Sequence, residues 1–255
     1  MRSGGGPARF ARFAYPPNAL GLCGPDDHDA LLEAAGAEGA EADAQLRHLA
    51  AGFAGAWPYL QLIAAANHID DPLDDRVVAA YWIGNDLLHA VPAAWLADHA
   101  DERFRRIAGS RSAHVTEAVL AGGRPHHNFH VFSVYPWVGL LRGDRTGEPL
   151  RVLDQCRIRS AVVLSAGPDS VEVAGTRLGW DGERLTEQPH LERSTWQWRG
   201  YPLGTAPTVG MAVALHWDWV CQPLTSAEAA SLRTWTSHHL ALANRLLDRE
   251  TLALG

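Results

Sequence analysis

The chain has 255 residues, 47% of them hydrophobic, and a formal net charge of −7. That is enough apolar material for one large domain or two modest ones, and without a clustered basic surface the chain is not expected to bind nucleic acid. Three cysteines, Cys23, Cys156 and Cys221, form no disulfide framework and no C-x-x-C pair, which fits a reducing cytoplasm; no segment reads as a signal peptide or a membrane span.

After a glycine leader, Tyr15-Pro-Pro-Asn-Ala-Leu-Gly-Leu-Cys-Gly-Pro25 reads as irregular, because its prolines and glycines oppose a continuous helix. From Asp26 the pattern turns helical. Asp26 and Asp29 suit a first turn, and Leu46, Leu49, Phe53, Trp57 and Leu60 form one stripe, with Pro58 as a kink. Asp71-Pro72 with Asp74 and Asp75 marks another helix start, and Val77, Val78, Tyr81, Trp82 and Leu88 give it an apolar face. Helices are expected from about Pro92 to Ile107, with Arg103, Arg105 and Arg106 on a solvated face, and from Ser112 to Ala121, stopped by Gly122-Gly123. Residues 125–142 fit helix or strand equally.

Beyond the turn formers at 143–149 the period shifts toward two. Cys156, Ile158, Val162 and Leu164 then share one face of a strand that Cys156 opens, and Gly167-Pro-Asp169 and Asp181-Gly182 mark hairpins. In the strand 211–220 the odd positions Met211 to Trp219 form one face, while His216 and Asp218 lie on the other. Thr225 and Glu228 form a capping box for a last helix with Leu232, Trp235, His239, Ala243 and Leu246 on its inner stripe. The expected fold class is α+β, with a leader and irregular segment over 1–25, a mostly α-helical domain over 26–147, and a small β-barrel with a C-terminal helix over 148–255.

No nucleophile elbow, Walker loop, dinucleotide fingerprint or H-E-x-x-H is present. Candidate ligands remain. Cys156 and His216 sit on strands of one small barrel, where a thiolate and an imidazole can hold a soft metal. His126, His127 and His130 form a second group; in a helix His126 and His130 are one turn apart, the spacing at which two imidazoles share a metal. Cys23 and His28 flank a tight loop that could add to the same pocket. Against these stand plainer readings: a buried thiol as a small hydrophobe, interface histidines, a loop with an N-cap, and ten tryptophans as core anchors.

The order Cys156-x-Ile158, a turn, a valine-rich return strand, Val213-Ala-Leu-His216 and a capped C-terminal helix resembles the small nickel-iron hydrogenase maturation chaperones of the HypC/HupF type over about 100 residues. Arg159 and Ser160 stand where those proteins carry proline, Cys156 is internal, and Trp-Asp-Trp follows His216. The whole chain also resembles an uncharacterised bacterial family found near hydrogenase maturation genes, through Tyr15 to Gly21 and Phe129-His-Val-Phe-Ser-Val-Tyr-Pro-Trp137. The resemblance implies an OB-like barrel. It also implies an accessory role without turnover, in which Cys156, its pKa lowered by Arg157 or Arg159, binds an iron fragment bearing cyanide and carbon monoxide and His216 assists. The implied partners are an iron-sulfur scaffold protein and the hydrogenase large-subunit precursor. Two alternatives stay open: a metal-dependent enzyme built on the His126, His127 and His130 group, and a metal-free interaction module.

Overall fold

The structure, a computed structural model, describes residues 5–37, 39–99, 112–135, 137–141, 146–198, 200–202 and 204–254. Its class is α+β: helices first, then a five-stranded sheet, then one long helix. The N-terminal segment differs from the expectation. Helix α1 (Gly6–Ala19) carries Pro16 and Pro17 in its last turns instead of ending before them. An interior proline costs about 3 kcal/mol. Phe10, Phe13 and Tyr15 offset it by burying against Phe53, Trp82 and Trp219, at about 1.5–3 kcal/mol for each side chain. Asn18 then ties down the chain that follows, its Nδ2 donating to the carbonyls of Cys23 and Pro25 at 2.8 and 2.7 Å. Gly24, at φ +87°, lies against the Phe53 ring, where a Cβ would collide.

Helix α2 (His28–Gly36) is capped by Asp27, whose carboxylate accepts from the Ala30 amide. The expected long stripe divides into α3 (Ala40–Ala51) and α4 (Trp57–Ala66), so Pro58 occupies a first turn, where its missing donor is harmless. Helix α5 (Asp75–Trp82) starts from Asp74, not Asp71, whose carboxylate accepts from the Leu73 amide. A 3-10 turn (Asp86–Ala90), α6 (residues 93–99) and α7 (Ser112–Leu120) follow, and α7 ends at Gly122 with φ +113°. The glycine leader through residue 4 lies outside the described residues, and so does the remainder of the helix expected from Pro92 to Ile107, with its arginine face, beyond the part that α6 covers. The ambiguous segment is helical: α8 (His127–Phe129) widens into a π turn (His130–Val134) before α9 (Trp137–Leu140) and α10 (Gly147–Cys156).

Strands β1 (Arg159–Ala166), β2 (Ser170–Trp180), β3 (Leu185–Thr195), β6 (Ala212–His216) and β7 (Trp219–Pro223) form a closed ring in the order β1-β2-β3-β7-β6; β4 (Gln197–Trp198) and β5 (Tyr201–Pro202) make a small separate ribbon. Neighbouring strands are antiparallel except β3 and β7, which meet in parallel at Thr195 and Trp219. Ala161, Val163, Val171, Val173, Val213, Leu215 and Val220 fill the ring. The face read for β1 is therefore the wrong one. Cys156 ends a helix instead of opening the strand, and Val162 and Leu164 are 44% and 48% exposed, since a shift of one residue exchanges the two faces. Val213 and Leu215 share one face as expected, and that face points into the ring. Their strand nevertheless stops at His216, where Trp217 takes a left-handed φ of +53° and turns the chain into β7.

Helix α11 (Ser226–Leu254) begins with the expected capping box: Thr225 Oγ1 accepts from the Glu228 amide, and the Glu228 carboxylate accepts from the Thr225 amide. Leu232, Trp235, Leu242 and Leu246 join one core with Phe10, Phe13 and Tyr81 of the helices, and Ile158, Ala214 and Cys221 of the ring enter that same core. Residues on the outer face of β6 therefore meet the helices, and His216 is one of them.

Candidate metal centre

Three side chains meet at this seam. One donor atom each from His127, Cys156 and His216 lies within 4.8 Å of the other two, and among the described residues no other group of three does so. Two imidazoles and a thiol are a donor set for a soft or borderline metal.

Their convergence begins with Asn128. Its Nδ2 donates to the Ile158 carbonyl at 2.9 Å and its Oδ1 accepts from the Ile158 amide at 2.7 Å, so one side chain pairs with the backbone as a strand neighbour would. The α10–β1 junction is thereby clamped to the α8 turn, and Cys156 is carried up to His127. His127 Nε2 lies 2.9 Å from the Cys156 carbonyl and 4.0 Å from its Sγ, while Nδ1 lies 3.2 Å from the Tyr81 hydroxyl. A carbonyl only accepts, so Nε2 carries the proton and Tyr81 donates to Nδ1.

His216 is set the other way round. Its Nδ1 is 2.6 Å from the Phe13 carbonyl, which again only accepts, so the proton is on Nδ1 and Nε2 keeps a free lone pair. That Nε2 is buried and makes no hydrogen bond of good geometry, although the Cys156 backbone also faces the ring. An unpaired buried acceptor costs about 1–3 kcal/mol unless something else fills the role, and a metal ion fits it. Trp82 lies against both imidazoles, with ring centroids 4.7 Å from His127 and 5.7 Å from His216, which shields them from water.

Burial dominates the electrostatics. It pushes His127 down to about 4 and His216 well below its ordinary value, the latter helped by the neighbouring His127. Both rings are therefore neutral at physiological pH; His216 offers Nε2 as it stands, whereas His127 would have to move its proton from Nε2 to Nδ1, with the Tyr81 hydroxyl turning to accept it, before Nε2 could bind a metal. Burial also pushes the Cys156 thiol up, with Cys23 adding to the effect. The expected lowering by arginine does not occur: Arg157 is bound to Asp154 and Glu187, and Arg159 to Glu192. A metal at this site would have to displace the thiol proton; neither histidine need release one to solvent, but binding at His127 Nε2 would break its hydrogen bond to the Cys156 carbonyl.

The cluster opens onto a cavity of about 280 Å³ with a mainly apolar wall that includes Cys23, Tyr135, Trp137 and Trp217. At its rim Arg151 and Glu148 pair at 2.8 Å, and the Arg151 guanidinium lies 5.7 Å from the Trp217 ring. A metal held by the three side chains would have the cavity beside it, where an external ligand could approach.

The remaining candidates divide. Cys23 lines the cavity with its thiol pushed up to about 12 by burial, but lies outside the group of three. His130 also lines it, with Nδ1 3.1 Å from the Tyr59 hydroxyl. His28 begins α2 and does not line the cavity. His126 and His130 do not share a helical face. His126 is the N-cap of α8 in an extended conformation, and its ring turns toward α11, stacking 5.4 Å from His239. Of the partners that orient the site, Tyr81 and Trp82 read in the sequence only as part of an apolar helix face, and Asn128 and the Phe13 carbonyl carry no pattern of their own.

The chain belongs to a family described as a family of unknown function (DUF6390), whose model matches residues 2–250. No curated protein and no solved structure matches it.

Proposed function

We propose that this protein holds a metal fragment at His127, Cys156 and His216, as an accessory factor of nickel-iron hydrogenase maturation that carries iron bearing cyanide and carbon monoxide. The observation that carries the metal reading is the bare, buried Nε2 of His216 beside the Cys156 thiol at the edge of a cavity. In this role Cys156 gives up its proton and supplies the thiolate, while the two neutral imidazoles complete the protein's side of the site. The apolar wall suits ligands that make few hydrogen bonds, and about 280 Å³ holds several diatomic ligands at roughly the 30 Å³ of a small molecule. The ring order, with its third and last strands meeting in parallel, supports the OB-like barrel that the resemblance implies. An iron-sulfur scaffold protein would deliver the fragment, and the large-subunit precursor would receive it.

One observation favours a second reading, a resident metal in a metal-dependent enzyme: His127 comes from the helical half, so the site is not confined to the chaperone-like part. Infrared spectroscopy and metal analysis separate the two. Protein purified without oxygen from a cell expressing the maturation genes is expected to show cyanide and carbon monoxide bands that Cys156→Ala removes. Stoichiometric metal without those bands supports the enzyme reading. Intact hydrogenase maturation with neither bands nor metal overturns both and leaves the metal-free interaction module.

A further inference from the structure

The lone pair of His216 depends on one carbonyl, and that carbonyl is available because of two prolines. In a helix the oxygen of residue 13 accepts from the amide of residue 17, or from residue 16 where the turn tightens. Here both positions are proline, so neither possible donor exists, and the Pro17 ring also crowds the residue 13 carbonyl away from the helix axis. Phe13 is fully buried, so its oxygen must find another donor, and the one it has is His216 Nδ1 at 2.6 Å, 203 residues away in sequence.

We infer that Pro16-Pro17 is a positioning device for the metal centre: by withholding helical donors from the Phe13 carbonyl, it fixes His216 in the Nδ1-protonated tautomer that aims a bare Nε2 at Cys156. Free imidazole in water favours the proton on Nε2, which is the wrong form for this site, so the carbonyl has to impose the choice. The segment Tyr15-Pro-Pro-Asn then has two linked tasks. Its prolines set the ligand, and Asn18 holds the Cys23 loop over the same cavity.

The inference rests on the metal reading, and the test separates their failures. Pro17→Ala returns the main helical amide and Pro16→Ala the secondary one; both changes favour the helix, so loss of fold is not the expected outcome. Cobalt(II) affinity and the ring-nitrogen NMR signals of His216 are measured for the wild type and both variants. Expected are an Nδ1-protonated His216 in the wild type, roughly 10–100-fold weaker cobalt binding in Pro17→Ala with gain of the Nε2-protonated form, and a smaller loss in Pro16→Ala. Wild-type affinity and an unchanged tautomer in a folded Pro17→Ala overturn the inference. If the wild type itself binds no cobalt, the metal reading fails, while the tautomer comparison still decides whether the prolines set the ring.

Discussion

The short α8 turn presents histidines to two sides, and the two sides differ in kind. On one side His127 meets Cys156, His216 and a cavity. On the other His126 stacks on His239, with Trp235 and His238 beside them, in the packing under α11. Both sides contain buried nitrogens without hydrogen-bond partners: His216 Nε2 on the first, His126 Nε2 and both nitrogens of His239 on the second. Burial and a bare nitrogen therefore do not by themselves make a ligand. The first side adds a different donor, the thiol, and room for a ligand to approach; the second adds only further rings, stacked or edge-on.

The sharpest way to break this comparison is metal titration. Cys156→Ser or His216→Ala should abolish stoichiometric zinc binding, whereas His239→Leu should bind as the wild type does; the opposite pattern would place the metal under α11. Next in size is the clamp. Asn128→Ala leaves the amide and carbonyl of Ile158 buried without their partner and should lower unfolding free energy by about 2–4 kcal/mol in denaturant titration. A loss too small to measure would mean that α10 is held against α8 by packing alone.

Proton exchange distinguishes the sides more finely. On the first side only the thiol has to release a proton at neutral pH, the neutral imidazoles keeping one each, so zinc affinity should rise about tenfold for each unit of pH, one proton released per metal. A flat profile between pH 6 and 8 would argue against a thiolate ligand. The smallest effect belongs to the second side. Burial holds His126 neutral down to about 3, and His239 lies well below its ordinary value as well. Unfolded histidine titrates near 6.5, so below that pH the unfolded chain binds more protons and stability falls with pH, by about 1.4 kcal/mol per unit for each such ring until its folded value is reached. His239→Leu should change stability at neutral pH by less than about 1 kcal/mol and make the acid loss shallower by one histidine, as read by thermal unfolding across pH. An unchanged acid slope would show that His239 is not part of that loss.

What the sequence disclosed followed from local rules, and what it hid followed from distance. The capping box at Thr225, the end of α7 at Gly122 and the shared face of Val213 and Leu215 are each decided within a few residues, and they read correctly. Cys156 was misplaced because a helix that ends where a strand begins leaves no period to count, and the one-residue error then inverted β1. The prolines of α1 misled for a related reason: a local penalty was outweighed by aromatic contacts with residues 40 and more positions away. At the site, Cys156, His216 and His127 were all visible as chemistry. That His127 belongs with the other two, and not with its neighbours His126 and His130, depends on Asn128 reaching Ile158, which no spacing announces.

The contact between Phe13 and His216 also fixes when the site can exist. It closes a loop of 203 residues, and the ligands come from positions 127, 156 and 216, so every part of the centre is a long-range product of folding. Long-range closures form late, after local helices and hairpins. During synthesis a chain that has emerged only as far as Cys156 holds a thiol and no finished site, because His216 has not yet been made. A metal held there would therefore be a receipt for completed folding: it would bind the docked whole and stabilise that state by RT ln(1 + [M]/Kd).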